Sequence, residues 1–308
     1  MVEYYQRRSA KEPLERIKKP YSVMGLWVHV PDKKLNIQRL AELYELDANI
    51  IRDVFDEHEL SRCEWKDRHQ YVFMRLPSNA LDGTATVPIL AIAGPKFFIT
   101  ITPHGNFSPQ KLGEFLTTKS QRPAAMLLAA MAGVVVEYET KVNDIDGKIM
   151  DARNRMKSAD VKNNDFIEFV DIEGRLNEYR SSLEGMISVT KQLQANRHGT
   201  WKVHDLEAIE DIMLHMEQLL VSIKASSYTI SSIQNAYSTI ANNILNHRMK
   251  ILTAITILLA IPNVFYGMYG MNIDLPFQHE PWAYLSIVGF TLLLIILVFL
   301  LAKRSRLF

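Results

Sequence analysis

The chain has 308 residues and a nearly balanced charge, with 35 Lys plus Arg against 34 Asp plus Glu and a formal net charge of +1. This length has room for one sizeable soluble domain, a helical region and two membrane spans. The single cysteine, Cys63, excludes an intrachain disulfide and a thiolate zinc site within one chain. The amino terminus has no apolar core after its basic residues, so we expect no cleaved signal peptide and a cytoplasmic soluble part.

Residues 1–122 are predicted to form an α/β domain. Loose hydrophobic alternation predicts a strand within 21–30, and apolar residues at helical spacing predict one or two short helices within 40–55. Two hairpins are predicted, at 61–76 and 84–102. Together these elements indicate a mixed sheet flanked by helices.

Residues 123–248 are predicted to be almost wholly helical, and a break at 196–200 precedes a third helix with Asp205 as its N-cap. At about 1.5 Å per residue, a helix over 205–262 would be on the order of 85 Å long. One stripe of this helix predicts the seam of a coiled-coil-like assembly. Its members are Leu206, Ile209, Met213, Met216, Leu220, Ile223, Ser227, Ile230, Gln234, Tyr237, Ala241 and Ile244.

Two apolar segments in residues 249–308 are predicted to cross a membrane, at about 249–268 and 283–302, with an outer loop at 269–282. A span of roughly 20 residues matches a hydrocarbon core about 30 Å thick. Basic residues flank the pair of spans, whereas the loop has no Lys or Arg, and this asymmetry predicts that both termini are cytoplasmic. The flanking basic residues are Arg248, Lys250, Lys303, Arg304 and Arg306.

A second stripe of the third helix is, apart from one methionine, made of small or polar residues. It consists of Ser232, Asn235, Thr239, Asn242, Asn246, Met249, Thr253, Thr256, Ala260, Asn263, Gly267 and Gly270. Small residues also mark close packing between membrane helices. The asparagines favour a water-filled path, because an unpaired amide in the bilayer is costly unless it is hydrated or bonded across an assembly. One helix cannot enclose a path, so a pore would need several subunits.

The tract Tyr269-Gly270-Met271-Asn272 follows a first span that contains Pro262, and it lies between the two final spans. Together with Met249-Lys250-Ile251-Leu252-Thr253 at the membrane entrance, these features resemble the CorA family of magnesium transport proteins. The resemblance implies an α+β membrane protein that assembles as a homopentamer. Each subunit would have a cytoplasmic α/β/α funnel domain, a long stalk and pore helix, and two transmembrane helices.

The resemblance also implies roles along the pore. Gly270, Met271 and Asn272 would form a selectivity filter, where Asn272 amides accept hydrogen bonds from the waters of a hydrated Mg²⁺, an ion that dehydrates reluctantly. Asn263 stands where many members have Thr, and Leu252, the family's apolar constriction, lies one position from the polar stripe. The remaining pore-lining residues would be Asn246, Met249, Thr253, Thr256, Ala260 and Gly267.

Two acidic residues match charged positions of the family, and two more lie in the outer loop, where Glu280 is a looser match to the family's Pro-Glu-Leu stretch. Asp53 and Asp211 correspond to carboxylates that sense cytoplasmic Mg²⁺, although lone aspartates on helix faces are usually only solvated. In the outer loop, Asp274 and Glu280 would raise the local cation concentration through their field. The simpler interpretation of these two is an outer loop that is merely polar.

The leading functional hypothesis is a channel or transporter for Mg²⁺ uptake, with Co²⁺ and Ni²⁺ as further candidates, driven by the membrane potential and gated by cytoplasmic Mg²⁺. The alternatives are a zinc transporter of the related branch and a non-conducting, membrane-anchored coiled-coil scaffold. We expect no enzymatic activity, since no nucleophile motif or phosphate loop is found. Mg²⁺ is expected as cargo and regulator, without an organic cofactor. The expected partners are further copies of the chain and the lipid bilayer of the inner or plasma membrane, and no nucleic acid.

Overall fold

The computed structural model describes residues 2–6, 14–18, 25–31, 36–78, 84–104, 122–157, 163–271 and 280–304. The chain divides into two compact units, Met1–Ser231 and Ser232–Phe308, and each is treated separately below. The first unit contains a sheet and helices. The second contains two helices that are long and apolar enough to cross a membrane.

The first unit is built on a seven-stranded sheet with the strand order β2-β1-β3-β7-β6-β5-β4. All neighbouring strands are antiparallel except β3 and β7, which are parallel. The strands are β1 (Glu3–Gln6), β2 (Glu15–Ile17), β3 (Leu26–Val30), β4 (Arg62–Lys66), β5 (His69–Pro77), β6 (Thr86–Ala93) and β7 (Phe97–Ile101).

The sequence-based expectations for this sheet are largely confirmed. Both predicted hairpins form, as β4–β5 and β6–β7, and β3 lies within the predicted strand, of which 21–24 are outside the described residues. The edge pair β1–β2 was not anticipated, because these strands have only four and three residues and lack a clear alternation. The sheet is mixed because two helices follow β3 before the chain forms the remaining strands, and the last of these, β7, pairs with β3 in parallel.

Helices cover both faces of the sheet. On one face, α1 (Ile37–Tyr44) and α2 (Ala48–Asp53) contribute to a core with residues of β3, β5, β6 and β7. On the other face lie α3 (Pro123–Lys157) and α4 (Asn163–Gln194). There the buried hydroxyl of Tyr138 donates to the carbonyl of Arg75 on β5, at 3.0 Å. The result is the three-layer α/β/α arrangement that the resemblance implied.

His29 is a buried titratable group in this sheet. It is 1% exposed, and its Nδ1 lies 2.9 Å from the Thr100 hydroxyl, which also accepts a hydrogen bond from the Trp27 indole at 2.8 Å. The Thr100 hydroxyl thus joins the Trp27 indole and the His29 imidazole in one buried polar contact. Burial lowers the pKa of His29 from 6.5 to about 4.

We expect this histidine to make the fold acid-sensitive. Above pH 6.5 the imidazole is neutral in both states, whereas between pH 6.5 and about 4 only the unfolded chain takes up the proton, so stability is lost as the pH falls. At pH 4.5 the loss is about 2–3 kcal/mol. Denaturant unfolding at pH 7.5 and 4.5, followed by tryptophan fluorescence, should show a smaller loss for His29→Gln. The exposed His58, changed to Gln, is the matched control and should retain the wild-type pH dependence.

The third long helix, α5 (Val203–Tyr269), includes Pro262. Asp205 is not its N-cap but its third residue, and its carboxylate accepts a hydrogen bond from the backbone N–H of Lys202 at 2.8 Å. It also accepts from the guanidinium of Arg122, at 2.6 and 2.8 Å. An acidic side chain in the first turn that reaches back to an unpaired N–H has the same stabilising effect as an N-cap.

The buried seam of α5 differs from the predicted one in every second member. The seam alternates three- and four-residue steps, as a heptad repeat does, and the buried members at 209, 216, 223 and 230 were predicted. Up to position 233 the other members lie one residue earlier than expected, so the predicted Leu206, Met213, Leu220, Ser227 and Gln234 are only partly buried. Beyond that point the predicted seam does not continue: Tyr237 is partly buried, and Ala241 and Ile244 are exposed. The additional buried residues are Asp205, Ile212, Leu219, Ser226 and Ile233. At 212/213, 219/220 and 226/227 the buried residue and its predicted neighbour are alike in polarity, so hydropathy alone could not choose between them.

In the second unit, the end of α5 packs against α6 (Ala283–Arg304). The rings of Phe265 and Phe290 meet edge to face, with centroids 5.4 Å apart. Thr291 is buried and satisfies its hydroxyl by donating to the carbonyl of Ile287 at 2.7 Å. The residues of α5 that are covered or partly covered are Ile251, Ala254, Leu258, Ile261, Pro262 and Phe265.

Candidate functional site

The polar stripe of α5 lies on the side of the helix that faces away from α6. At roughly 100° per residue, the centre of the stripe from Asn246 to Gly270 is about 170° from the centre of the residues covered by α6. All stripe members over this range are exposed in the single chain. The hairpin of two spans therefore leaves its most polar face uncovered, and covers an apolar one.

The hydroxyls and the amides of this stripe differ in how they are satisfied. Thr253 and Thr256 donate to the carbonyls of Met249 and Leu252 in the preceding turn, at 2.9 and 2.8 Å. Such bonds make a threonine tolerable inside a membrane helix. Among the described residues, the amide of Asn263 has no hydrogen-bond partner. It therefore needs water or another chain if this segment lies in a bilayer.

Leu252 lies at the edge of the stripe, about 60° around the helix from Met249. Both side chains are exposed, at 59% and 54%. A groove of about 640 Å³ runs along the opposite flank of the stripe, and Asn246, Met249 and Thr253 line it together with residues outside the stripe. Leu252 is not part of that groove.

The predicted filter is described only as far as Met271. The N–H of Gly270 donates to the Tyr266 carbonyl at 3.0 Å, and that of Met271 donates to the Met268 carbonyl at 3.2 Å, so the helix ends by tightening its last turn. A Cβ at Gly270 would lie 3.2 Å from the Tyr266 oxygen, whereas one at Gly267 would meet nothing within 4 Å. Of these two glycines, Gly270 is the one at which small size matters for packing within the chain. Asn272 and Asp274 lie outside the described residues.

Glu280 begins the segment that leads into α6. It is exposed, and its carbonyl accepts a hydrogen bond from the N–H of Ala283 at 3.1 Å, so its backbone caps the start of that helix. The carboxylate is directed to no described partner. This geometry fits both the cation-attracting and the merely polar interpretation of the loop.

Asp53 ends α2 and forms an ion pair that the sequence did not reveal. The guanidinium of Arg62 donates to its carboxylate at 2.6 Å, to Glu59 at 2.6 Å and also to Glu64. The same guanidinium lies 4.1 Å from the centre of the Phe73 ring. One arginine thus pairs with three carboxylates. The sequence carries a signal only for the Arg62–Glu64 pair, because the alternation of β4 places these two residues on one face of the strand.

Asp211, on α5, is exposed, and no hydrogen bond or ion pair joins it to Asp53 in the described part of the chain. Within the described ranges, no three His, Cys, Asp or Glu side chains come together as a group that could hold a metal ion. A shared metal site for Asp53 and Asp211 would therefore require a second copy of the chain.

The stripe also extends further toward the amino end of α5 than the sequence suggested. Leu214, Val221 and Tyr228 recur at seven-residue steps and are 54%, 70% and 75% exposed. By residue count, they and Asp211 continue the three- and four-residue alternation of the stripe. Their apolar character explains why a search for small and polar residues missed them.

The architecture, a sheet unit with long helices and two candidate spans, is similar to that of known proteins. The model of the family described as CorA-like Mg²⁺ transporter protein matches residues 25–304. The chain belongs to this family. The match covers the sheet, the long helices and both spans, so the family assignment does not rest on the signature tract alone.

Individual relatives are distant but matched over most of their length. The cobalt/magnesium transport protein CorA of Methanocaldococcus jannaschii is 20% identical over 91% of this chain and 90% of that protein. Its complete structure has a TM-score of 0.84 at 17% identity, covering 99% of this chain and 98% of that one. YfjQ of Bacillus subtilis, described as a candidate metal ion transporter, is 22% identical over 92% of this chain and 90% of that protein.

A more distant likeness involves the cytoplasmic domain of a further protein. The cytoplasmic domain of ZntB from Vibrio parahaemolyticus has a TM-score of 0.59 at 8% identity, covering 78% of this chain and 98% of that domain. At this identity the likeness concerns the fold only.

Proposed function

We propose that this member of the CorA family is a homopentameric channel for Mg²⁺ uptake across the inner or plasma membrane, with both termini in the cytoplasm. The observation that carries the proposal is the uncovered polar stripe of α5, opposite the face that packs on α6. A polar face turned toward lipid is costly, whereas the same face around a common axis lines a hydrated path. Family membership supports Mg²⁺ as the cargo.

Self-association would cover polar and apolar side chains that a single chain leaves exposed. Asn263 has no partner among the described residues, and one helix cannot surround an ion. A further exposed apolar line is formed by Leu214, Val221 and Tyr228, at positions that continue the three- and four-residue alternation of the stripe. Copies that meet along this side of α5 would cover the apolar line and arrange the polar residues as rings.

Ion selection would occur at the outer mouth, where Gly270, Met271 and Asn272 narrow the path. Mg²⁺ keeps its water shell, and amide oxygens accept hydrogen bonds from those waters without a charge that would trap the ion. Asp274 and Glu280 would raise the cation concentration there. The membrane potential then contributes about 2.3 kcal/mol per charge per 100 mV, and roughly twice that for a divalent ion.

Gating by cytoplasmic Mg²⁺ is part of the proposal. An ion that bridges Asp53 of one copy and Asp211 of another only in the closed state would stabilise that state, and rising internal Mg²⁺ would shut the pore. Asp53 is already paired with Arg62, and both side chains are partly exposed, at 48% and 31%. Exposed ion pairs of this kind contribute about 0–1 kcal/mol, so a divalent ion can displace the arginine.

Removal of Arg62 should therefore strengthen Mg²⁺ sensing. We expect Arg62→Gln to lower the Mg²⁺ concentration that half-protects the purified protein from proteolysis by roughly two- to fivefold, since the competing cation is gone. Arg52→Gln is the matched control, because Arg52 lies beside Asp53 on α2 and its side chain, among the described residues, bonds only to Asn49, at 3.3 Å. Equal shifts of the half-protecting Mg²⁺ concentration in both variants would show that the effect comes from a general change of surface charge.

The zinc-transporter alternative cannot be separated from the magnesium one by fold, since the chain is similar in fold to the ZntB domain as well. The triplet Gly270-Met271-Asn272 favours the magnesium branch, since the zinc branch tends to depart from Met here. A non-conducting scaffold would not need the polar stripe to continue through the span. We infer that the chain has no enzymatic role and uses neither an organic cofactor nor nucleic acid.

A flux competition tests the proposed function. Purified protein in liposomes with an inward-negative potential should admit Mg²⁺, and cobalt hexammine, a mimic of the hydrated ion, should block the flux. Flux should then be compared among Mg²⁺, Co²⁺, Ni²⁺ and Zn²⁺ in the same vesicles. Flux of Zn²⁺ without Mg²⁺ would establish the zinc alternative, and no flux of any ion would favour the scaffold.

A further inference from the structure

A small pocket in the first unit has no part in the ion path. It has a volume of about 260 Å³ and lies where β4 and β5 meet the end of α4 and the loop that follows. Its walls combine the indoles of Trp65 and Trp201 with the amides of Gln70 and Gln192. Pockets that bind small molecules have this composition of aromatic walls and a few placed polar groups, and a cavity of this size suits a single ring system.

The loop that forms one wall is held in a fixed conformation. Asn196, in the left-handed region at φ 44°, uses both ends of its amide on the backbone of Trp201: its Nδ2 donates to the carbonyl and its Oδ1 accepts from the N–H, each at 3.0 Å. Trp201 itself is 7% exposed. The pocket is therefore preorganised, which lowers the cost of binding.

The indole of Trp65 is stacked with the ring of a neighbouring side chain, and that ring can move away. The imidazole of His198 stacks on the indole, with centroids 4.6 Å apart and planes 8° from parallel. His198 is exposed, and Trp65 is 37% exposed, so the imidazole can move into solvent and its departure uncovers only one face of a partly exposed indole. It occupies the position that a planar ligand ring would take.

The remaining groups define the chemistry of the ligand. The side-chain oxygen of Gln192 accepts a hydrogen bond from the Cys63 thiol at 3.3 Å, which leaves the amide N–H groups of Gln192 for a ligand. Burial raises the pKa of the Cys63 thiol and keeps the thiol neutral. No Asp or Glu lines the pocket, whereas Arg197 does. A planar ring with hydrogen-bond acceptors on its edge and an attached anion fits this set.

We propose that this pocket binds a nucleotide, whose base replaces His198 on the indole of Trp65 and whose phosphate pairs with Arg197. Gln192 would donate to the base edge. Stacking of a base on an aromatic side chain, an edge hydrogen bond and an arginine–phosphate contact are independent contributions to affinity. The site would make the transporter responsive to a cytoplasmic nucleotide, in a unit separate from the membrane spans.

The test uses the full-length protein in detergent without Mg²⁺, titrated with AMP, adenosine, UMP and inorganic pyrophosphate while tryptophan fluorescence is followed. AMP should quench saturably, and Trp65→Ala should weaken its binding roughly tenfold or more. Trp65→Phe should retain binding, because it keeps an aromatic face. Arg197→Ala should weaken AMP and leave adenosine unchanged, whereas Arg180→Ala, an exposed arginine of α4 outside the pocket, should change neither.

His198→Ala separates a ligand site from a merely structural stack. If the imidazole occupies the base position, its removal should tighten AMP binding severalfold, whereas a supporting role would predict weaker binding. Absence of saturable quenching up to millimolar AMP, or equal binding of pyrophosphate, would overturn the proposal. The assay does not depend on transport, so its failure leaves the proposed channel function standing, and loss of flux in liposomes leaves the pocket untouched.

Discussion

Asn272→Ala is expected to reduce Mg²⁺ uptake at least tenfold while the protein still assembles. In the proposed filter, the amide oxygen of each copy accepts a hydrogen bond from a water of the hydrated ion, and alanine offers nothing in its place. Mg²⁺ holds its waters tightly, so a ring that no longer recognises the hydrated ion cannot compensate by binding the bare ion. The measurement is Mg²⁺ flux into liposomes, with the oligomeric state checked by size-exclusion chromatography.

The outer loop offers a matched control for this variant. Gln278 carries the other amide side chain of the segment 272–279, and Gln278→Ala removes the same chemical group at a position outside the triplet. We expect Gln278→Ala to conduct nearly as well as the wild type. Normal uptake by Asn272→Ala would show that the Asn272 side chains are not part of the filter. Equal loss of uptake in both variants would show that the effect comes from the loop as a whole.

The sheet and the spans were predictable because their hydrophobic patterns are regular. The hairpins β4–β5 and β6–β7 have strands long enough to show β character, and the second span has an uninterrupted apolar run. The strands β1 and β2 are too short for a pattern to emerge. The helix start was misplaced by three positions because an acidic residue can stabilise a helix start both at the N-cap and in the first turn.

The candidate site was predictable as a list of residues but not as a set of contacts. A three- and four-residue alternation of polar residues specifies one face of α5, and the uncovered face opposite α6 agrees with it. The pairing of Asp53 with Arg62 depends on how α2 meets β4, which no local pattern encodes. The stack of Trp65 on His198 joins residues that are far apart in sequence, and it could be found only in three dimensions.

Asn263→Leu is the variant that separates a conducting stripe from a packing stripe. Asn263 is exposed on the side of α5 away from α6, and its amide has no described partner. If the stripe lines a hydrated path, a ring of leucines makes that stretch apolar and the path dewets, so we expect Mg²⁺ flux to fall at least tenfold. If the stripe only packs against lipid or other helices, leucine removes an unsatisfied amide and should leave flux unchanged or stabilise the protein.

Asn243→Leu makes the same chemical change on the same helix outside the stripe. Asn243 is exposed and lies about 160° around the helix from Asn263. Because it is not on the proposed axis, its replacement should leave flux within about twofold of the wild type, a change typical of an exposed surface substitution. Thermal unfolding and oligomeric state should be measured for both variants. A stable, assembled Asn263→Leu protein that conducts normally would show that the polar face of α5 is covered by protein and not by water, and the pore would then have to lie elsewhere.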